Sequence, residues 1–155
     1  MCVGIALAYS ELPLPLIDEY RLNERVDDRG GEKELRFYWQ AVPALVPIWW
    51  NGKPHVVRWG NRDRTERKLP PSGWTWRETI EAGKWTALEP EPVSIPASYG
   101  LMNGVWFRVK QGMRGLLVRD RGGCPVVFVE CQPSTRYFRV MTQSDWMPSL
   151  IDEVI

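Results

Sequence analysis

The stretch Ala44-Leu-Val-Pro-Ile-Trp-Trp-Asn-Gly-Lys-Pro-His-Val-Val-Arg-Trp-Gly60 decides the fold class. Two short apolar runs, A-L-V-P-I-W-W and P-H-V-V-R-W, flank Asn51-Gly52. Asn and Gly both tolerate positive φ, and side by side they match the twist of a two-residue hairpin turn. The runs are short and rich in β-branched and aromatic residues, so they read as paired strands rather than helices. His55 sits on the second strand and reads as an ordinary strand histidine.

The same pattern extends outward in both directions. Upstream, C-V-G-I-A-L-A-Y from residue 2 is a continuous apolar run and predicts a buried strand. Residues 11–33 predict a loop with one short helix around 16–24, followed by a strand in E-L-R-F-Y-W-Q-A-V. Downstream, N-R-D-R-T-E-R-K-L-P-P-S-G is a polar loop. Thr75 and Glu78 form a capping box that predicts a helix ending by Gly83. Strands are then expected in P-V-S-I-P, G-V-W-F-R-V-K, G-L-L-V-R-D, C-P-V-V-F-V-E and Y-F-R-V-M-T, with Arg121-Gly122-Gly123 turning one hairpin. The tail P-S-L-I-D-E-V-I reads as one or two helical turns. Residues 1–155 therefore predict a β-rich α+β fold, one domain of antiparallel and mixed sheets with few short helices.

Composition narrows the chemistry. The chain has 155 residues and a net charge of +1, so any polyanion site must be a local patch. One histidine leaves most acid–base and metal constellations without members. The three cysteines form no C-x-x-C pair, and an odd number of free thiols suits a reducing cytoplasm. No metal, no cofactor and no membrane partner is expected, and the chain is expected to be a monomer. The apolar opening is too short for a membrane span and lacks a basic leader region.

Two features carry chemistry. Cys2 follows the first methionine, and removal of Met1 exposes a 1,2-aminothiol. An α-amine has a pKa of about 7.7–8.0, so part of it is neutral at pH 7 and attacks aldehydes. The neighbouring thiol then closes on the imine to give a thiazolidine ring. The competing reading is a cysteine packed as a small apolar side chain. The second feature is residues 58–68, where Arg58, Arg62, Arg64, Arg67 and Lys68 stand against Asp63 and Glu66. Trp59 lies within this run, and Trp74, Trp76 and Arg77 follow it. Cations track a phosphate backbone and tryptophans stack on unpaired bases, which is the composition of a single-strand groove. A solvated loop beside core tryptophans has the same composition.

Several segments together resemble the SOS-response-associated peptidase (SRAP) family, the abasic-site processing proteins. Met1-Cys2 match the family's start, and Arg58-Trp59-Gly60 look like its Trp-Gly strand end. Thr75-Trp76-Arg77-Glu78-Thr79 look like its Asn-Ala-Arg-x-Glu-Thr segment, and Pro96-Ala97-Ser98-Tyr99-Gly100 like its Pro-Ala-Asp-Gly. Ser144-Asp145-Trp146-Met147-Pro148 look like its His-Asp-Arg-Met-Pro. The resemblance spans most of the chain in shortened form. It implies that the partner is single-stranded or abasic DNA and that Cys2 crosslinks to the sugar aldehyde. DNA contacts are expected from Arg58, Trp59, Arg62 and Trp74 of the basic, tryptophan-rich run, and the resemblance adds Thr75 and Arg77. The family's Asn, Glu and His fall on Thr75, Met102 and Ser144, so the chain lacks that acid–base set while Met102 and Ser144 line the site.

Two alternatives stay open. A β-rich interaction module derived from that family would keep Cys2 in its core and bond to nothing. An N-terminal-cysteine glutamine amidohydrolase would share the Met-Cys start, but the chain is short for a four-layer αββα domain.

Overall fold

The computed structural model describes residues Cys2–Ile151. Along the chain these form β1 (Cys2–Ala8), α1 (Leu14–Glu19), β2 (Val26–Arg29), β3 (Glu32–Tyr38), β4 (Leu45–Trp50), β5 (Lys53–Trp59) and β6 (Trp74–Trp76). Then come α2 (Arg77–Glu81), β7 (Glu91–Pro96), β8 (Tyr99–Met102), β9 (Val105–Arg108), β10 (Gly112–Arg119), β11 (Pro125–Pro133), α3 (Arg136–Thr142) and β12 (Trp146–Pro148). The fold is β-rich α+β as expected, with helices of five to seven residues and no helical layer.

Strands arrange in two sheets. The first has the order β2-β3-β1-β8-β9 and is antiparallel throughout. In the second, β10, β7, β4, β5 and β11 are neighbours in that order, and pairing of β10 with β11 closes them into a ring. A closed ring leaves no free edge among its members. β11 is long enough to serve two pairs of neighbours. Its first half lies between β10 and a parallel β5, and its second half between β12 and a parallel β6.

Alternation along the strands fixes what faces where. Ile5, Leu7, Leu35, Phe37, Met102 and Phe107 of the first sheet join Val46, Ile48, Val127 and Val129 of the second in one core. The opposite faces of β10 and β11 carry Leu116, Val118, Val126 and Phe128. Leu69 and Trp85 cover these, so the segment between β5 and β7 lids the ring with a small second core.

Asn51 and Gly52 both have positive φ, 52° and 75°, as the hairpin reading requires. Asp120–Cys124 joins β10 to β11 around Arg121-Gly122-Gly123. Several expectations are corrected. Y-F-R-V-M-T is helix α3 rather than a strand. The Thr135 side chain accepts from the Phe138 amide at its start, and buried Phe138 and Thr142 share one helical face. Thr75 caps no helix. It lies in β6, and α2 begins at Arg77 with no side-chain cap. The charged stretch 26–33 forms a hairpin of β2 and β3, and Y-G-L-M adds β8, paired with β9 across Asn103-Gly104. The tail read as helical, residues 148–155, instead begins on the last residue of β12 and bridges Met113 through Leu150, and its last four residues lie outside the described ones, as does Met1.

Candidate functional site

Cys2 begins β1 with its side chain in the core and no exposed surface. It pairs with Met102 of β8. Its thiol donates to the Gly4 carbonyl at 3.2 Å. Burial pushes this thiol up to about 11, against a smaller downward pull from backbone groups at Gly4 and Leu101. Cys131, on β11, is also buried, and burial with the nearby Cys2 pushes it up to about 12. Neither sulfur is a thiolate near neutral pH.

β6 brings its tryptophans to the same place. The Trp74 indole donates to the Cys2 carbonyl at 2.9 Å, tying β6 to the start of β1. Trp39, Trp59 and Trp74 form a cluster with ring centroids 5.0–6.0 Å apart. Gly60 and Gly73 make this approach possible. A Cβ at Gly60 would lie 2.3 Å from the Ser72 carbonyl, and one at Gly73 would lie 2.7 Å from the Trp39 ring. Trp76 stacks on Trp146 with centroids 4.1 Å apart. Cys131 has Trp76 on one side and Pro148 on the other.

The positions expected to help Cys2 are otherwise engaged. Thr75 is buried, and its hydroxyl accepts from the Trp85 indole at 2.8 Å in the second core. It therefore points away from the core that holds Cys2. Ser144 is buried and spends its hydroxyl on the Trp146 backbone, donating to the carbonyl at 2.6 Å and accepting from the amide at 3.2 Å. Met102 is buried against Cys2 and brings no ionisable group.

The basic stretch is more ordered than its composition suggests. Arg58 donates to Asn61, Asp63 and Thr65. Arg62 donates to the Trp39 carbonyl at 2.8 Å. Trp59 is a core residue whose indole donates to the Gly73 carbonyl, so no face of it is open to a base. Arg77 is exposed, forming an ion pair with Glu130 at 3.3 Å and donating to Ser149. Asn61 is not singled out by the sequence and Glu66 is read there only as a counter-charge, yet both are buried organisers of the loop. The Asn61 side chain donates to the carbonyls of Glu66 and Leu69 and accepts from the Glu66 amide. Glu66 accepts from the Arg121 amide. Arg64, Arg67 and Lys68 are left exposed on the outside of this loop. An N-R-D-R-T-E run following a strand was the available signal, since Asn and Asp bond nearby backbone in turns.

Among the described residues no group of three or more His, Cys, Asp or Glu is placed to hold a metal ion, and no helix is long and apolar enough to cross a membrane. No family model, curated protein or solved structure matches the chain.

Proposed function

We propose that the chain is an SRAP-like domain that binds single-stranded DNA and senses abasic sites at the N-terminal end of β1. The observation that carries this is convergence. The segments bearing the resemblance are scattered along the chain, yet Pro96–Gly100 runs into the strand beside Cys2 and the 75–79 and 144–148 segments flank Cys131. β8, continuing from Pro96–Gly100, pairs with β1, and Trp74 bonds the Cys2 carbonyl. Trp76 stacks on Trp146 of the 144–148 segment, which runs beside β11.

The site dictates the order of chemistry. A thiol raised to about 11 does not open the reaction. Where Met1 is removed, the Cys2 α-amine attacks the sugar aldehyde, and loss of water leaves an imine. The thiol then breaks its bond to the Gly4 carbonyl and adds across the C=N bond. Its proton passes to the nitrogen, and a thiazolidine results. With Thr75, Met102 and Ser144 in place of titratable helpers, this crosslinking is slow.

Intact mass before and after incubation with an abasic oligonucleotide tests the reading. The expected product is chain lacking Met1 that carries the oligonucleotide. Cys2→Ala keeps the amine and should form only an imine, trapped by cyanoborohydride. An unmodified protein that also fails to bind the oligonucleotide would overturn the proposal. The fully buried thiol favours a second reading, in which Cys2 is a core residue and the domain binds DNA without bonding to it. Binding without any adduct would select that reading.

A further inference from the structure

On the outer side of β6 lies a cavity of about 340 Å³. Trp74, Thr75 and Trp76 of β6 border it, with Thr79, Trp85 and Leu88 completing the lining; the Thr75 side chain and Trp85 face it, while the Trp74 and Trp76 rings pack toward the first core. Lys68 enters from the basic loop and Lys84 from the turn after α2. The volume is that of a small-ligand pocket. Trp85 is buried, backed by Phe128 at 4.9 Å, with its N–H already spent on Thr75. It is a fixed apolar wall. Trp74 and Trp76 are half-buried.

Both lysines are exposed, and among the described residues neither pairs with a carboxylate. A cavity walled by the Trp85 ring and carrying two ammonium groups without a carboxylate partner suits a ligand that is planar and aromatic at one end and anionic at the other. We propose that this cavity binds a nucleotide, its base against Trp85 and its phosphate between Lys68 and Lys84. Stacking on indole is tolerant of base identity, so the site discriminates little among bases. The phosphate contact is electrostatic, and affinity falls as salt rises. None of this requires Cys2 to react, so the proposal goes beyond the crosslinking reading and stands apart from it.

The shared chemistry is a base with a phosphate, and its source is either a free mononucleotide or one residue of a strand. The test titrates the full chain with deoxyadenosine monophosphate, with deoxyadenosine, and with inorganic phosphate, by calorimetry at low salt. The monophosphate should bind more tightly than either fragment. Lys68→Ala and Lys84→Ala should each weaken it about tenfold, as loss of a charged contact implies. The same substitutions should leave deoxyadenosine binding unchanged. A parallel titration uses a short oligodeoxyadenylate. Weakening of the monophosphate and the oligonucleotide together assigns the site to a strand residue, and weakening of the monophosphate alone assigns it to free nucleotides.

A monophosphate that does not bind, or binds equally well to the double lysine variant, would overturn the proposal. So would inorganic phosphate that binds as tightly as the nucleotide. Failure of the crosslinking reading looks different, because it is seen as an unchanged mass with nucleotide binding intact.

Discussion

Two parts of the molecule gather cations and aromatic rings, and they differ in what the cations are bonded to. On the outer face of the first sheet, Arg29 lies over Tyr99 at 4.0 Å and over Trp106 at 4.9 Å, and Arg36 lies over Trp106 at 5.1 Å. β1 presents Gly4, Ala6 and Ala8 opposite Tyr38, Arg36 and Glu34, so the larger groups meet above small ones. Here both of these arginines are matched by carboxylates. Glu34 takes Arg29 through two bonds of 2.8 and 2.9 Å and Arg36 through one of 2.8 Å, and Asp27 takes Arg36 at 2.9 Å. In the cavity behind β6 the Trp85 ring is present, but among the described residues the lysines pair with no carboxylate. A matched arginine must break a bidentate pair before it can take a phosphate. An unmatched lysine gives up only water. Arginine and tryptophan in one patch are therefore a structural device in the first region and a recognition device in the second.

The largest effect follows from removing the matching group. Glu34→Ala leaves Arg29 without a carboxylate and Arg36 with Asp27 alone, and about 2–3 kcal/mol of stability is lost by denaturant unfolding. Burial alone would raise the Glu34 pKa. The hydrogen bonds and charges of Arg29 and Arg36 outweigh it and hold the carboxyl below its ordinary value. The unfolded chain thus takes up this proton first as pH drops. The stabilisation is complete at neutral pH and disappears as pH falls below the ordinary carboxylate range, through the lowered folded value. Glu34→Gln should flatten that acid limb. An unchanged limb would mean that the first region is not held by this carboxylate. Nucleotide affinity should be untouched by either substitution.

A smaller effect tests the second region's framework. Asn61→Ala leaves the Glu66 and Leu69 carbonyls and the Glu66 amide without their partner in a buried place. A loss of about 2 kcal/mol is expected. Because the same contacts fix the loop that delivers Lys68, nucleotide affinity should fall with it, unlike in the Glu34 variants. Equal affinity in Asn61→Ala would show that Lys68 does not need an ordered loop.

How much of this the sequence reveals depends on the range of the interaction. The hairpin at Asn51-Gly52 is local chemistry and is legible. The strand β8 is hidden because Gly100 interrupts it. That glycine is demanded from a distance, since a Cβ there would lie 2.3 Å from the Phe107 ring. Helix α3 reads as a strand because Tyr137, Phe138 and Val140 favour one. The Thr135 cap and the packing of Phe138 on Phe107 at 5.0 Å override that preference. The charged β2 reads as a loop because an edge strand carries charges outward. At the site, Cys2 on a buried strand is legible. The direction of Thr75 is not. It turns on β6 being a strand, in which Thr75 and Trp74 face opposite ways, and on a partner at Trp85 that no local pattern names. The cations of 58–68 are countable in the sequence, but which of them are already bonded is not. Arg58 is consumed by a turn folded back on it, whereas Lys68 reaches the cavity only because Asn61 turns the loop.

The smallest expected effect is the sharpest test of the contrast. Replacing both Lys68 and Lys84 by alanine removes two charges that bond to nothing among the described residues. Exposed side chains without partners contribute within about 0.5 kcal/mol, so the unfolding midpoint should barely move. A partner-free charge has no folded-state interaction to lose. In the first region a single charge deletion costs several times more, because there each charge neutralises another. If the double lysine variant instead loses more than about 1 kcal/mol, the lysines are structural and the two regions are alike. If stability holds while nucleotide affinity collapses, charge placed at the cavity serves binding and not the fold.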